Sequence, residues 1–362
     1  MRWVRTLGLV LALLGTACMG SGPTQGPART ETIKVTLAGS GQFVPSSELG
    51  LYLPQALGCW KREGLDVTVV SSGGSRNSLQ LLIAGSAQVI TVGPDTVPQG
   101  RQEGADVISV YETVTRPDQA LGIPVNSPVQ TIPDLKGKTI GVPSLAANQV
   151  FYTKALLTTA GLNSDTDIKL VPSGFDRAAV VQALEAGRVD ALTYWSGFFA
   201  QLENAGFQFR YHQWEGLSNA PGYVMATSQR YMSEHPEVIA AMGRCQSQAV
   251  LYAMQNPEAA VRAYWYSFRE NKPTDIPEDE ALRREMKVVT KQLESMRPDP
   301  AHGWGYNNPE GWASYISFMR QFDLLKQDMP ADSVYSNKFV DDYKRFDEAA
   351  VKDLAKQGFR PS

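Results

Sequence analysis

The sequence predicts two α/β lobes facing each other across a hinged cleft. Three observations carry this. Strand-like and helix-like segments alternate from Thr32 to Trp195, the order that makes parallel strands joined by right-handed crossovers. The unit "NSLQLLIAGSAQVITVGPD" (Asn77 to Asp95) has a second copy in "AVVQALEAGRVDALTYW" (Ala179 to Trp195). A length of 362 residues suits about two domains, each with its own core.

The elements follow in order. "TIKVTLA" (Thr32 to Ala38) alternates Ile33, Val35 and Leu37 with polar residues, a strand signal. "GSGQFVPSS" is a loop. Ala56, Leu57 and Trp60 recur at helical spacing, and Gly64 ends that helix. "DVTVV" is the next strand, "SSGGS" a loop, and the first repeat unit comes after it. The second copy begins at "KTIGV" (Lys138 to Val142), with "PSLAANQ" as its loop. Tyr152, Ala155, Leu156 and Ala160 share a helix face, and Gly161 is the cap. "DIKLV" is the strand, "PSGFD" the loop, and the repeat closes the copy. "YVMAT" reads as a return strand. From Ser228 the pattern is helical, with Ser233 and Asn256 as N-caps; this block is expected to cover lobe one. The expected division is residues 31–116 with 228–362 as lobe one and 117–227 as lobe two. Two chain crossings make a hinge, and a hinge lets a cleft close.

The N-terminus stands apart. Arg2 and Arg5 precede the apolar run Leu7 to Leu14, which is too short to span a membrane, and small residues lead to Cys18. This is an export signal over residues 1–18. It resembles a bacterial lipoprotein signal, which implies a lipid on Cys18, although Gly15 stands where an aliphatic residue is usual. Residues 19–30, rich in Gly, Pro and Ser, read as a flexible tether. Cys59 and Cys245 lie on predicted helices far apart in sequence. An oxidising compartment permits a disulfide, but pairing depends on geometry, and the two are read as buried free thiols.

A net charge of -3 excludes a strongly basic nucleic-acid binder. No His-Glu-x-x-His, Gly-x-Ser-x-Gly or phosphate loop is present, and His212, His235 and His302 are scattered. No catalytic residue, metal or cofactor is expected.

Several segments resemble the substrate-binding proteins of bacterial ABC importers, in the group that includes binders of thiamine pyrimidine precursors, alkanesulfonates, taurine and nitrate. They are "REGLDV", "LIAGSAQV", "IPDLKGKTIGV", "ALEAGRVDA" and "GWGYNNPEGWASYISFMRQFDLL". The resemblance implies a periplasmic-binding-protein-like fold, a monomeric receptor tethered outside the cytoplasmic membrane, and an ABC permease with its ATPase as partners. Three alternatives stay open: an anion binder of the sulfonate, taurine or nitrate type, a ligand sensor without transport, and an enzyme. The fungal pyrimidine-synthesising enzyme of thiamine biosynthesis shares the fold group, but this chain lacks its cysteine-dense motif.

In open α/β sheets ligands bind beyond the carboxyl ends of the strands. That rule selects Gln42, Phe43, Gly74, Ser75, Asp95 and Thr96 in lobe one, and Ser144, Asn148, Tyr194 and Trp195 in lobe two, with Tyr223 on the return strand. Arg76 and Arg177 sit at matching helix starts, as holders of an anionic group or as solvated first-turn residues. Ser144 and Asp95 read equally as helix caps. The aromatic candidates and the neutral donors point to a small flat ring, with Trp195 stacking on it; whether the ligand is charged stays open.

Overall fold

The computed structural model describes residues 32–42, 45–214, 217 and 219–360. Ten strands form two five-stranded sheets of the same design. The first is ordered β2-β1-β3-β10-β4, from β1 (Ile33–Gly39), β2 (Leu65–Ser71), β3 (Val89–Val92), β4 (Ile108–Val114) and β10 (Tyr223–Thr227). The second is ordered β7-β6-β8-β5-β9, from β5 (Gln119–Pro124), β6 (Thr139–Val142), β7 (Lys169–Pro172), β8 (Ala191–Trp195) and β9 (Phe209–His212). In each sheet four strands run the same way and one, β10 or β5, runs antiparallel between two of them. Both faces are covered, so strands such as β3 (VITV) and β5 (QALGIP) are buried throughout.

The repeat seen in sequence is therefore a repeat of topology. Helices Ser75–Ile83 and Arg177–Glu185 hold equivalent places. The chain passes to the second sheet between β4 and β5 and returns between β9 and β10. β10 pairs with β3 and β4. Residues 223–227, expected at the end of lobe two, thus belong to the first sheet. The reason is symmetry of the crossings: each sheet takes its antiparallel strand from the segment beside a crossing.

Three local expectations change. The helix through Ala56 and Trp60 is two short helices, Leu53–Ala56 and Cys59–Arg62, broken where Gly58 turns left-handed (φ 65°). Asn256 caps its helix through Ala259 N–H, but Ser233 lies inside the short helix Gln229–Glu234, capped by Ser228, and helix Pro236–Gln255 starts at His235 without a side-chain cap. Cys59 and Cys245 are bonded, with Cα atoms 5.7 Å apart, so the free-thiol reading is wrong: the core brings helix Cys59–Arg62 against helix Pro236–Gln255.

The C-terminal block also does more than cover lobe one. Helix Glu278–Leu293 packs on Ser196–Asn204 of the second sheet's side. Phe318 meets Phe151 and Trp214 at 5.6 and 4.8 Å between ring centres. This block bridges both sheets. Trp265, Trp304 and Trp312 are core.

Candidate functional site

A cavity lies where the two sheets' carboxyl ends meet. Its aromatic wall comes from β8 and the helix it enters. Trp195 stands 5.2 Å from Phe198 and 6.5 Å from Phe175, centre to centre. The indole N–H donates to Ser47 Oγ at 3.3 Å, across to the loop after β1. Tyr223, at the start of β10, lines the opposite side and pairs its hydroxyl with Ser40 Oγ. The cavity holds about 60 Å³, room for about four to six waters.

The polar lining is one-sided. Glu48 and Asp118 border the cavity, and among the described residues that line it none is Lys, Arg or His. Burial, with the neighbouring Asp118 charge acting in the same sense, raises the Glu48 carboxyl to about 7. Burial raises Asp118 to about 6, against the hydrogen bond it accepts from Gln292 Nε2 at 2.9 Å. Gln119 Oε1, Gln292 Oε1 and Thr91 Oγ1 also line the cavity, buried and without a protein partner. Buried polar atoms are normally satisfied, so these three mark where a ligand's polar edge belongs. Two of the three accept only.

The predicted residues separate into groups. Gly74, Ser75, Asn148, Trp195 and Tyr223 line the cavity. Ser75 Oγ accepts from Gly93 N–H at 3.1 Å. Ser144 sits on the seam instead, donating from Oγ to Gly73 O at 2.8 Å. Gln42 is at the rim, on an outer groove. Phe43 lies outside the described residues. Asp95 and Thr96 do not reach the cavity. They border a separate pocket behind Asn148, with Arg76. The Asp95 side chain caps no helix, and burial holds its carboxyl at about 7 against its backbone hydrogen bond and the Arg76 charge. Tyr194 is core: it is fully buried, stacks on Phe198 at 4.2 Å and donates to Gly174 O at 2.6 Å. Neither Arg76 nor Arg177 lines the cavity.

Sequence reasoning missed Ser47, Glu48, Phe175, Phe198, Asp118, Gln119 and Gln292. Phe175 lay in the quoted loop "PSGFD", and Asp118 in the crossing segment. Glu48 is a lone acid in the apolar stretch "VPSSELGLYL", a signal that could have been used. Gln292 lies on a helix far down the chain, and only folding brings it in.

Paired α/β sheets, a double crossing and an enclosed cavity between strand ends define a two-lobed solute-binding protein. The comparisons narrow the class. A family described as NMT1/THI5 like matches residues 46–260, and the chain belongs to that family. It is similar to the riboflavin-binding protein RibY of Chloroflexus aurantiacus, 26% identical over 353 residues, covering 93% of this chain and 97% of that one. The formylaminopyrimidine-binding protein of Halalkalibacterium halodurans is 24% identical over 343 residues, covering 93% and 99%. Among solved structures, the fold matches a protein from Bordetella bronchiseptica RB50 with TM-score 0.70 at 21% identity, over 86% of this chain and 96% of that one. It matches the alkanesulfonate-binding protein SsuA from Xanthomonas axonopodis pv. citri bound to MOPS with TM-score 0.61 at 20% identity, over 85% and 99%. Both of these relatives are named as binding proteins, and with the family match they support a solute-binding rather than an enzymatic role for this chain.

Proposed function

We propose that this protein captures a flat, hydrogen-bond-donating heterocycle, of which an aminopyrimidine is the best fit, and hands it to an ABC permease and its ATPase. The observation that carries this is the aromatic cavity with acceptors on its walls and no cation among the described residues that line it. Trp195, Phe175 and Phe198 suit a ring face. Glu48, Asp118, Gln119 Oε1 and Gln292 Oε1 suit the N–H groups of an amino-substituted edge. Gly74, Ser75, Asn148 and Tyr223 complete the enclosure. A sulfonate or nitrate would meet two carboxylates here without a compensating charge, which counts against an anion binder. The Halalkalibacterium relative, named for a formylaminopyrimidine, supports a ligand of this class.

Calorimetry with 4-amino-2-methylpyrimidine, riboflavin, an alkanesulfonate and nitrate tests the reading. The aminopyrimidine is expected to bind, with a protein-stabilising effect of about 2.7 kcal/mol at a hundred times its Kd. Binding of the sulfonate or nitrate alone would overturn it.

The receptor is further proposed to be exported and held at the membrane through a lipid on Cys18, a residue outside those described. The basic start, short apolar run and small residues before Cys18 support this. Cys18→Ala should move the protein from the membrane to the soluble fraction; identical fractionation of both forms would rule the anchor out.

A further inference from the structure

Beside the ring cavity, and sharing Pro45, Leu51 and Gln201 with it, opens a groove of about 1,090 Å³. Its floor carries the ring cluster of Tyr264 and Phe268, 5.3 Å apart between centres. Its walls come from both sheets' loops and from helix Glu278–Leu293: Gln42 on one side, Arg177 and Asn204 on another, Glu285 on the helix. Glu285 accepts from Ser46 Oγ, the residue next to Ser47 and Glu48 of the ring cavity. Burial raises the Glu285 carboxyl, while the Ser46 hydroxyl and the Arg177 charge pull it down. Arg177 is thus near Glu285 without forming an ion pair with it.

We propose that this groove is a second subsite, which holds a hydroxylated chain extending from the ring. The chemistry selects that class. A hydroxyl both donates and accepts, so one chain can give hydrogen bonds to Glu285 and take them from Arg177 and the amides. A hydrocarbon tail would leave these groups dehydrated and unpaired. An anionic tail would face Asp176, Glu270, Asp275 and Glu285 on the same walls, four carboxyls against the three guanidinium groups of Arg177, Arg269 and Arg284. The proposal rests on the heterocycle reading of the adjoining cavity and adds a place for a chain that extends from the ring.

The test is calorimetry with two 4-amino-2-methylpyrimidines that differ at C5, one bearing methyl and one bearing a 2,3-dihydroxypropyl chain. The wild-type protein is expected to bind the diol about tenfold or more tightly than the methyl compound. Arg177→Gln, at an exposed residue, and Glu285→Gln should each erase most of that gain and leave the methyl compound's affinity unchanged. Equal affinity of the two compounds for the wild type, or a gain that survives both substitutions, would overturn the subsite and leave the ring cavity standing. Failure of both compounds to bind would overturn the two together. Should Glu285→Gln lower the melting temperature through its contact with Ser46, the Arg177→Gln result decides alone.

Discussion

Trp195 borders the cavity, partly exposed, with its ring edge near Phe175 and its N–H on Ser47. An aromatic anchor in such a place can be worth about 2–4 kcal/mol on truncation. Trp195→Ala should weaken binding of the best ligand by about 30- to 1,000-fold, since each 1.4 kcal/mol is about tenfold. Its melting temperature should stay near that of the wild type, and affinity within threefold would place Trp195 outside the site. Tyr194, one residue earlier, predicts the reverse. It is fully buried and its hydroxyl is tied to Gly174, so Tyr194→Ala should cost stability on the scale of other buried aromatics, about 3–5 kcal/mol, measurable by urea unfolding. The sequence placed both residues in the cleft because both end the same strand. Strand parity separates them: neighbours on a strand point to opposite faces, and only one face can meet the ligand. Asp95 teaches a similar lesson. It follows a strand's carboxyl end as expected, yet Asn148 of the other lobe fills the space between it and the cavity. Contacts made by the opposite lobe have no trace in a linear pattern.

At the scale of elements, the sequence pattern located the strand–helix–strand units of both sheets, because alternation and helical spacing are local signals. It did not reveal that helix Glu278–Leu293 would supply Gln292 to the cavity, nor that Cys59 and Cys245 would meet, since both depend on tertiary packing. That disulfide links two helices 186 residues apart, and removing such a bridge typically costs about 2–5 kcal/mol. A Cys59→Ala/Cys245→Ala variant should melt several degrees lower while keeping its ligand affinity, because the bond lies in the core of the first sheet's side. An unchanged melting temperature would show that packing alone holds those helices. The seam gives a second element-level prediction. A Cβ on Gly74 would stand 2.7 Å from Ala146 Cβ and 2.8 Å from the Ala146 carbonyl oxygen. The backbone of Gly74 is extended (φ 163°), so alanine fits the lobe itself and obstructs only the approach of the other lobe. Gly74→Ala should lower affinity tenfold or more with little change in melting temperature. Wild-type affinity would mean that this close approach is not needed to hold the ligand.

Over the whole molecule, five buried acids give stability an unusual pH dependence. Burial raises Glu48 and Asp95 to about 7, Asp118 to about 6 and Glu112 to about 8, from ordinary values of 4.5 for Glu and 3.8 for Asp, and it moves Glu285 in the same direction. A carboxyl raised in the folded state binds its proton more tightly there than in the unfolded chain. Its contribution is therefore fully present below the unfolded value and is lost as pH climbs through the folded one. Between about pH 4 and 8 all five act in the same direction. His212 opposes them, since burial, helped by the Arg210 charge, lowers its pKa; it is one half-exposed group against five buried ones. Exposed acids such as Asp134, Asp165 and Asp167 are lowered by their hydrogen bonds and ion pairs, so their contribution fades only as pH falls below about 4. The unliganded protein should accordingly melt highest near pH 5 and lower at pH 8, as followed by scanning calorimetry. Glu112→Gln keeps an acceptor for Asn308 N–H and should flatten part of that slope. A ligand whose N–H groups reach Glu48 and Asp118 favours their ionised forms, so its stabilising effect should grow from pH 5 to pH 8. A melting temperature that rises over that range without ligand would show that these carboxyls are not held protonated by the fold.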